Sequence, residues 1–206
     1  LFSEPAAGSD TGGIRTRATR DGEEWVISGQ KVWTSGAHFC DYGILLARSD
    51  WDKPKQEGLT MFIMDMRAPG IEIRPIHQMS DEREFNEVFL NEVRIPDSHR
   101  LGPECGGWKV MLSTLMHERL SVGGSLPTNL HASLVELARK ARWNGAPAIE
   151  DARVKARIAD AYLSQKGVDL IISRGLTALS KGREPGPEMS ILKLVAGKGI
   201  LDIAGF

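Results

Sequence analysis

Two short segments of the sequence combine residue types that can bind a flat or anionic ligand. Residues 1–13 carry hydroxyl and acidic side chains around two glycine clusters, at Gly8 and at residues 12–13. Because glycine has no side chain, backbone N–H groups at such positions can approach a ligand closely. The alternative is that the segment only connects two elements at the surface, as many glycine-rich loops do.

The second segment, residues 29–37, places a tryptophan between a predicted strand and two hydroxyl residues. The indole of Trp33 could stack on a ring while a neighbouring hydroxyl bonds the heteroatoms at the edge of that ring. Taken alone, a tryptophan at this position is more often part of the hydrophobic core. The two segments together point to a binding site for a ring.

Several other functions are disfavoured by composition and by the motifs that the sequence lacks. Its 26 Lys and Arg against 27 Asp and Glu give a net charge of −1, whereas nucleic-acid-binding domains are usually strongly basic. The sequence has no hydrolase, zinc-protease or phosphate-loop motif, and its five histidines are scattered. Cys40 and Cys105 are too few for a disulfide framework or a four-ligand zinc site. No apolar run reaches the ~18–20 residues of a membrane-spanning helix.

The first hundred residues read as strands separated by turns. Short apolar runs at residues 43–47 and 59–64 are typical of strands buried on both faces, and residues 71–74 and 85–95 supply further strands. Six or seven such strands predict a sandwich or barrel. This half has a net charge of −5.

The second half, with a net charge of +4, has helical periodicity. Helices are predicted over residues 107–120, 134–143 and 151–181 and from Pro187 onward, with Pro127 interrupting the first. Short links between them predict an antiparallel bundle. The fold class is therefore α+β, with a β domain over residues 1–103 and part of a helical bundle over residues 104–206.

Five motifs in order give the chain a family resemblance. They are SEPAAGSD at 3–10, GQKVWTSG at 29–36, FNEVF at 85–89 leading to VRIP at 93–96, GGWKV at 106–110 and ER at 118–119. In these the chain resembles the middle domain and the early C-terminal domain of acyl-CoA dehydrogenases. The resemblance implies an FAD enzyme that removes the α-proton of an acyl-CoA thioester and passes a β-hydride to flavin N5.

The resemblance also implies roles for individual residues around the flavin. Phe2 and Ser3 would contact the flavin ring through backbone and hydroxyl groups, and Trp33 would flank the ring. Ser35 matches the hydroxyl that bonds flavin N5, and Thr34 lies between it and Trp33.

Two further roles concern the substrate. Ser9 would lie near the acyl-CoA, and Arg119 could serve the CoA end or the bundle. Glu118, immediately before Arg119, occupies the place of the catalytic base in some relatives, whereas in most the base lies near the C-terminus. Without the resemblance, Glu118 reads as a solvated residue of an amphipathic helix.

The chain departs from the family pattern at two places. Relatives usually carry Arg-x-x-Phe-Gly after the first bundle helix, where this chain has RWNG at 142–145, and Pro127 interrupts a helix that is normally continuous. The sequence begins with Leu1 and ends in an apolar stretch, so we expect a piece of a longer protein. The piece by itself is expected to be inactive and free of flavin.

The resemblance therefore implies an acyl-CoA dehydrogenase that passes electrons to an electron-transfer flavoprotein. The expected partners are an acyl-CoA and further copies of the chain, in a dimer or tetramer, with no nucleic acid and no membrane span. The expected location is the cytoplasm, or the mitochondrial matrix in a eukaryote. Three alternatives remain open: an acyl-CoA oxidase, a flavin monooxygenase, or a non-catalytic relative that binds a thioester or a partner.

Overall fold

The computed structural model describes residues 1–124, 130–183, 186 and 189–205. The chain divides into two compact units, Leu1–Thr114 and Leu115–Phe206. The first unit is built on a seven-stranded sheet and the second is mainly helical. The predicted α+β class is thereby confirmed.

The first unit contains one mixed sheet. Its strands are β1 (Arg17–Asp21), β2 (Glu24–Ser35), β3 (Tyr42–Arg48), β4 (Leu59–Asp65), β5 (Ile71–Pro75), β6 (Phe85–Pro96) and β7 (Arg100–Leu101). They lie in the order β5-β6-β2-β1-β3-β4-β7, and every neighbouring pair is antiparallel except β1 and β3. Because β5 and β7 form two edges, the described sheet is open and sandwich-like rather than a closed barrel.

These strands form where the sequence alternates or runs apolar between turn residues. Trp25 and Ile27 of β2 are buried at the period of two that a strand requires. Gly22, with a φ of +62°, closes the turn between β1 and β2 in the left-handed region that favours glycine. The β3 and β4 runs are buried over much of their length, but Ile44 and Ile63, paired in register, are 38% and 36% exposed.

One polar cluster ties the core of the sheet to the chain after β6. The Trp25 ring lies 5.4 Å from the Phe62 ring, and its indole N–H donates to Asp97 Oδ1 at 2.7 Å. Arg100 donates to both oxygens of the same carboxylate, at 2.9 and 3.1 Å. These hydrogen bonds, first from Arg100 and then from Trp25, hold the pKa of Asp97 well below its usual range.

The helices are α1 (Gly107–Gly124), α2 (Leu130–Lys140), α3 (Ala152–Ser180) and α4 (Met189–Ala204). Asp151 caps α3 by accepting a hydrogen bond from the Arg153 amide at 2.8 Å, and Gly182, at φ +67°, follows its end. In the second unit α3 packs against α2 and α4. Within the described residues no helix is both long enough and apolar enough to cross a membrane.

The α2 helix ends earlier than its pattern predicts. Instead of continuing to Trp143, it stops at Lys140, and β8 (Arg142–Trp143) pairs with β9 (Ala146–Pro147). The two linking residues, Asn144 and Gly145, have φ values of +51° and +83°, as a two-residue hairpin turn requires. The predicted interruption at Pro127 lies outside the described residues.

Candidate functional site

The segment before Pro5 fills a gap in the sheet between β2 and β3. β1 separates these strands only along part of their length, since it pairs with β3 at a single position. Beyond it, Leu1 donates to the Ile44 carbonyl at 2.7 Å and accepts from the Leu46 amide at 3.2 Å. On the other side, the Ser3 carbonyl accepts from the Val32 amide at 2.9 Å. Ser3 is thereby held beside the residue that precedes Trp33.

A buried ion pair anchors this segment to β2. Lys31 is 0% exposed, and its Nζ donates to Glu4 Oε1 at 2.9 Å and to the Phe2 carbonyl at 3.1 Å. Glu4 also accepts hydrogen bonds from the Arg15 amide at 2.6 Å and the Thr16 amide at 2.9 Å. The described contacts therefore join three parts of the chain: the first segment, the residues that lead into β1, and β2.

Burial and charge act in opposite directions on this pair. Burial lowers the pKa of Lys31 to about 8, although the Glu4 carboxylate opposes the shift. Burial alone would raise the pKa of Glu4, but the Lys31 charge and the hydrogen bonds donated to the carboxylate together lower it. At neutral pH both groups are therefore charged.

Trp33 lies exposed at an irregularity in β2. The register between β2 and β6 shifts between Lys31 and Thr34, and Trp33 has a φ of +60°. A left-handed backbone costs a residue with a side chain about 1–2 kcal/mol. The side chain is 58% exposed, and its ring meets Phe85 edge to face with centroids 6.0 Å apart. Strained residues of this kind cluster at binding sites, so the structure favours the site interpretation of Trp33 over the core interpretation.

Asn86 fixes the chain that follows Trp33. This side chain is 0% exposed, and its Nδ2 donates to the Thr34 carbonyl at 2.9 Å and to the Glu84 carbonyl at 3.2 Å. Its Oδ1 lies 3.1 Å from His38 Nδ1. Asn86 belongs to the FNEVF motif, whose sequence alone predicts no role for it; its position opposite Thr34 in the β2–β6 register is the signal that reveals one.

The hydroxyl residues after Trp33 differ in exposure. Ser35 is exposed and pairs with Phe85 across the strands. The Thr34 Oγ1 is buried and has no hydrogen-bond partner among the described residues. We call Phe2, Ser3, Trp33, Thr34 and Ser35 the β2 site, because the segment carrying Phe2 and Ser3 is bonded to the strand that carries the other three.

Three further residues, Ser9, Glu118 and Arg119, are predicted from the sequence to serve the substrate. Ser9 is exposed, beyond a turn closed by two hydrogen bonds of 3.0 Å between the backbones of Glu4 and Ala7. Glu118 is half-buried on α1 in the second unit. The Arg119 side chain lies outside the described residues. The roles of these three remain predictions.

The donor set of the β2 site fits a flavin ring. An exposed indole offers a flat apolar face, and the exposed Ser35 and half-buried Ser3 hydroxyls offer donors to acceptor atoms at a ring edge. The described residues contain no group of three or more His, Cys, Asp or Glu side chains that could hold a metal ion. The site is suited to bind a planar heteroaromatic group.

Comparison with known proteins places the chain in one family. Two family models match, acyl-CoA dehydrogenase, middle domain, over residues 1–93 and acyl-CoA dehydrogenase, C-terminal domain, over residues 106–205. Acyl-CoA dehydrogenase FadE34 of Mycobacterium tuberculosis is 39% identical over 196 residues, which cover 95% of this chain and 27% of the relative. The chain belongs to the acyl-CoA dehydrogenase family.

Solved structures share the fold over nearly the whole chain. The Tcur3481-Tcur3483 steroid ACAD has a TM-score of 0.84 and 30% identity, covering 98% of this chain and 52% of that one. Glutaryl-coenzyme A dehydrogenase, solved as its glutaryl-CoA complex, has a TM-score of 0.90 and 25% identity, covering 99% of this chain and 53% of that one. The chain thus spans between 27% and 53% of the length of these three proteins.

Proposed function

We propose that this chain supplies flavin and thioester contacts of an FAD-dependent acyl-CoA dehydrogenase. The observation that carries the proposal is Trp33, an exposed indole held at a strained position beside two hydroxyl residues. Membership of the acyl-CoA dehydrogenase family supports it. Residues 1–103 would form the middle β domain and residues 104–206 part of the helical bundle.

The β2 site would orient the cofactor. Trp33 would flank the flavin ring, Ser35 would donate to N5, and the backbone of Phe2 and the hydroxyl of Ser3 would meet the edge of the ring, with Thr34 as the remaining member of the site. When bound, FAD supplies the hydride acceptor, which the side chains of the chain itself cannot provide. A donor at the atom that receives charge stabilises that charge as it develops.

The helical part would remove the α-proton of the substrate. The Glu118 carboxylate would take the proton from Cα of the acyl thioester, and the hydride of Cβ would go to bound FAD, so that two C–H bonds break and one C=C bond forms. Ser9 and Arg119 would contact the thioester. The electrons would pass to an electron-transfer flavoprotein, and the protein would assemble as a dimer or tetramer in the cytoplasm or the mitochondrial matrix.

Anaerobic titration of the natural gene product with acyl-CoA thioesters tests this function. The panel should contain linear, cyclic and steroid-derived acyl groups, since relatives include a cyclohexane-1-carbonyl-CoA dehydrogenase and a steroid ACAD. At least one thioester should bleach the visible absorbance of the flavin. Retention of the oxidised spectrum with every thioester would refute the proposal, and oxygen consumption during turnover would favour an oxidase instead.

A further inference from the structure

The strongest unassigned feature of the described chain is the contact between Lys31 and the first segment. Lys31 Nζ reaches the Phe2 carbonyl directly at 3.1 Å, and Ser3 is bonded to Val32, the next residue of β2. Lys31 also lies two residues before Trp33 in the sequence. One side chain therefore connects the two segments from which the β2 site is built.

The Glu4 carboxylate makes the buried position of Lys31 possible. An ammonium group with 0% exposure needs an opposite charge and hydrogen bonds in place of water. Glu4 provides both, because each of its oxygens accepts from a backbone amide and Oε1 also accepts from Lys31. A buried ion pair adds little net stability compared with apolar side chains of the same volume. What the pair adds here is a defined place for Phe2 and Ser3.

We propose that Lys31 and Glu4 are positioning residues for the flavin, which fix the backbone of Phe2 and Ser3 against β2 beside Trp33. This inference rests on the proposed function. The pair acts through the β2 site, since neither side chain is exposed enough to be one of its walls. Loss of the pair loosens the first segment, whose backbone hydrogen bonds to β2 and β3 then hold it less firmly, and so weakens one side of the cofactor site while Trp33 stays in place.

The test compares FAD binding and local hydrogen exchange in variants of the natural gene product. Lys31→Met removes the ammonium group and its bond to Phe2 but keeps an unbranched apolar side chain of similar length. It should raise the FAD dissociation constant about tenfold or more. A change of this size corresponds to the loss of at least one good hydrogen-bonded contact. Amide exchange at Val32 and Leu46 should become faster without FAD, because their acceptors Ser3 and Leu1 are released.

A second variant answers the possibility that Lys31→Met fails to fold with Glu4 left as an unpaired buried charge. Glu4→Gln/Lys31→Met leaves no charge at the site and should recover part of the lost stability. It still lacks the bond to Phe2, so its FAD affinity should stay low.

Two control variants separate positioning from general destabilisation. Arg94→Met removes two exposed ion pairs, one with Asp21 and one with Glu24, at the end of the sheet where β2 begins, and should leave FAD affinity unchanged. Val93→Ala truncates a core side chain of β6 and lowers the stability of the same sheet while leaving the Lys31–Glu4 pair intact.

Each result has a definite meaning. The inference is overturned if Lys31→Met and the double variant bind FAD as tightly as the wild type, or lose no more affinity than Val93→Ala. It is also overturned if exchange at Val32 is unchanged. Failure of the wild type to bind FAD would overturn the proposed function itself, and the inference with it, so the two failures are distinguishable.

Discussion

Trp33 and Phe85 meet edge to face at the irregular end of the β2–β6 pairing, with ring centroids 6.0 Å apart and planes at 80°. The contact holds the Trp33 ring by one edge and leaves the side chain 58% exposed. The left-handed φ of Trp33 directs this exposed ring away from the regular pleat of the strand. The indole is thereby held in a defined position, and the left-handed backbone of Trp33 lowers the stability of the folded chain.

Replacing Trp33 measures the free-energy cost of its left-handed backbone. Trp33→Gly relieves the left-handed backbone, whereas Trp33→Ala retains the strain, so the glycine variant should be more stable by about 1 kcal/mol. Both variants lose the same contact with Phe85. Urea unfolding of the two proteins checks the difference, and an alanine variant as stable as the glycine variant would show that the φ of Trp33 carries no strain.

Truncation of the buried Asn86 should lower the free energy of unfolding far more than truncation of the exposed Asn91 on the same strand. Asn86→Ala leaves two partly buried backbone carbonyls without this donor and should lower the free energy of unfolding by about 1–3 kcal/mol. Asn91→Ala, at an exposed position of the same strand, should change it by less than about 0.5 kcal/mol. Equal effects in denaturant unfolding would contradict the role given to Asn86.

The stability of the first unit should fall in acid partly through Asp97. Its pKa is lowered in the folded chain by the hydrogen bonds from Arg100 and Trp25, so the folded state binds its proton less readily than the unfolded state. The resulting stabilisation is present above the unfolded pKa of about 4 and is lost as pH falls below it. Asp97→Asn should lower Tm at pH 7 and flatten the decline in acid. A decline as steep as that of the wild type would assign the acid sensitivity to other groups.

Glu118 provides a test of the proposed proton transfer that is separate from cofactor binding. Glu118→Gln keeps the size and polarity of the side chain but removes the base, so FAD should bind normally while bleaching by the thioester slows by about 100-fold or more. Rapid-mixing absorbance under anaerobic conditions measures the rate. A variant that bleaches as fast as the wild type would place the base on another residue.

The strands and helices could largely be predicted from the sequence because they follow from local patterns. Apolar runs and alternating patterns, with glycine and proline between them, located the first six strands, whereas the two-residue β7 was not predicted. Gly182 located the end of α3. The end of α2 was predicted three residues too late, because the Asn144-Gly145 hairpin turn competes with the helical pattern and prevails.

The candidate site was predictable in its residue types but not in its supports. Phe2, Ser3 and Trp33 were predicted as site residues from the sequence motifs. The ion pair of Glu4 and Lys31 was not predicted, because it joins positions 27 residues apart. Spacing along the chain does not reveal such a contact, because it depends on which strands become neighbours. The exposure of Trp33 likewise depends on a shift in strand register that no single-strand pattern contains.

The central claim, that the β2 site holds the flavin, is tested most directly by the FAD dissociation constants of two tryptophan variants. Trp33→Ala should raise the constant about tenfold or more through loss of ring contact. Trp51→Ala removes a similarly exposed indole, which lies against Arg17 and Arg48 elsewhere in the same unit, and should leave it unchanged. Wild-type affinity in Trp33→Ala, or an equal loss in Trp51→Ala, would contradict the account.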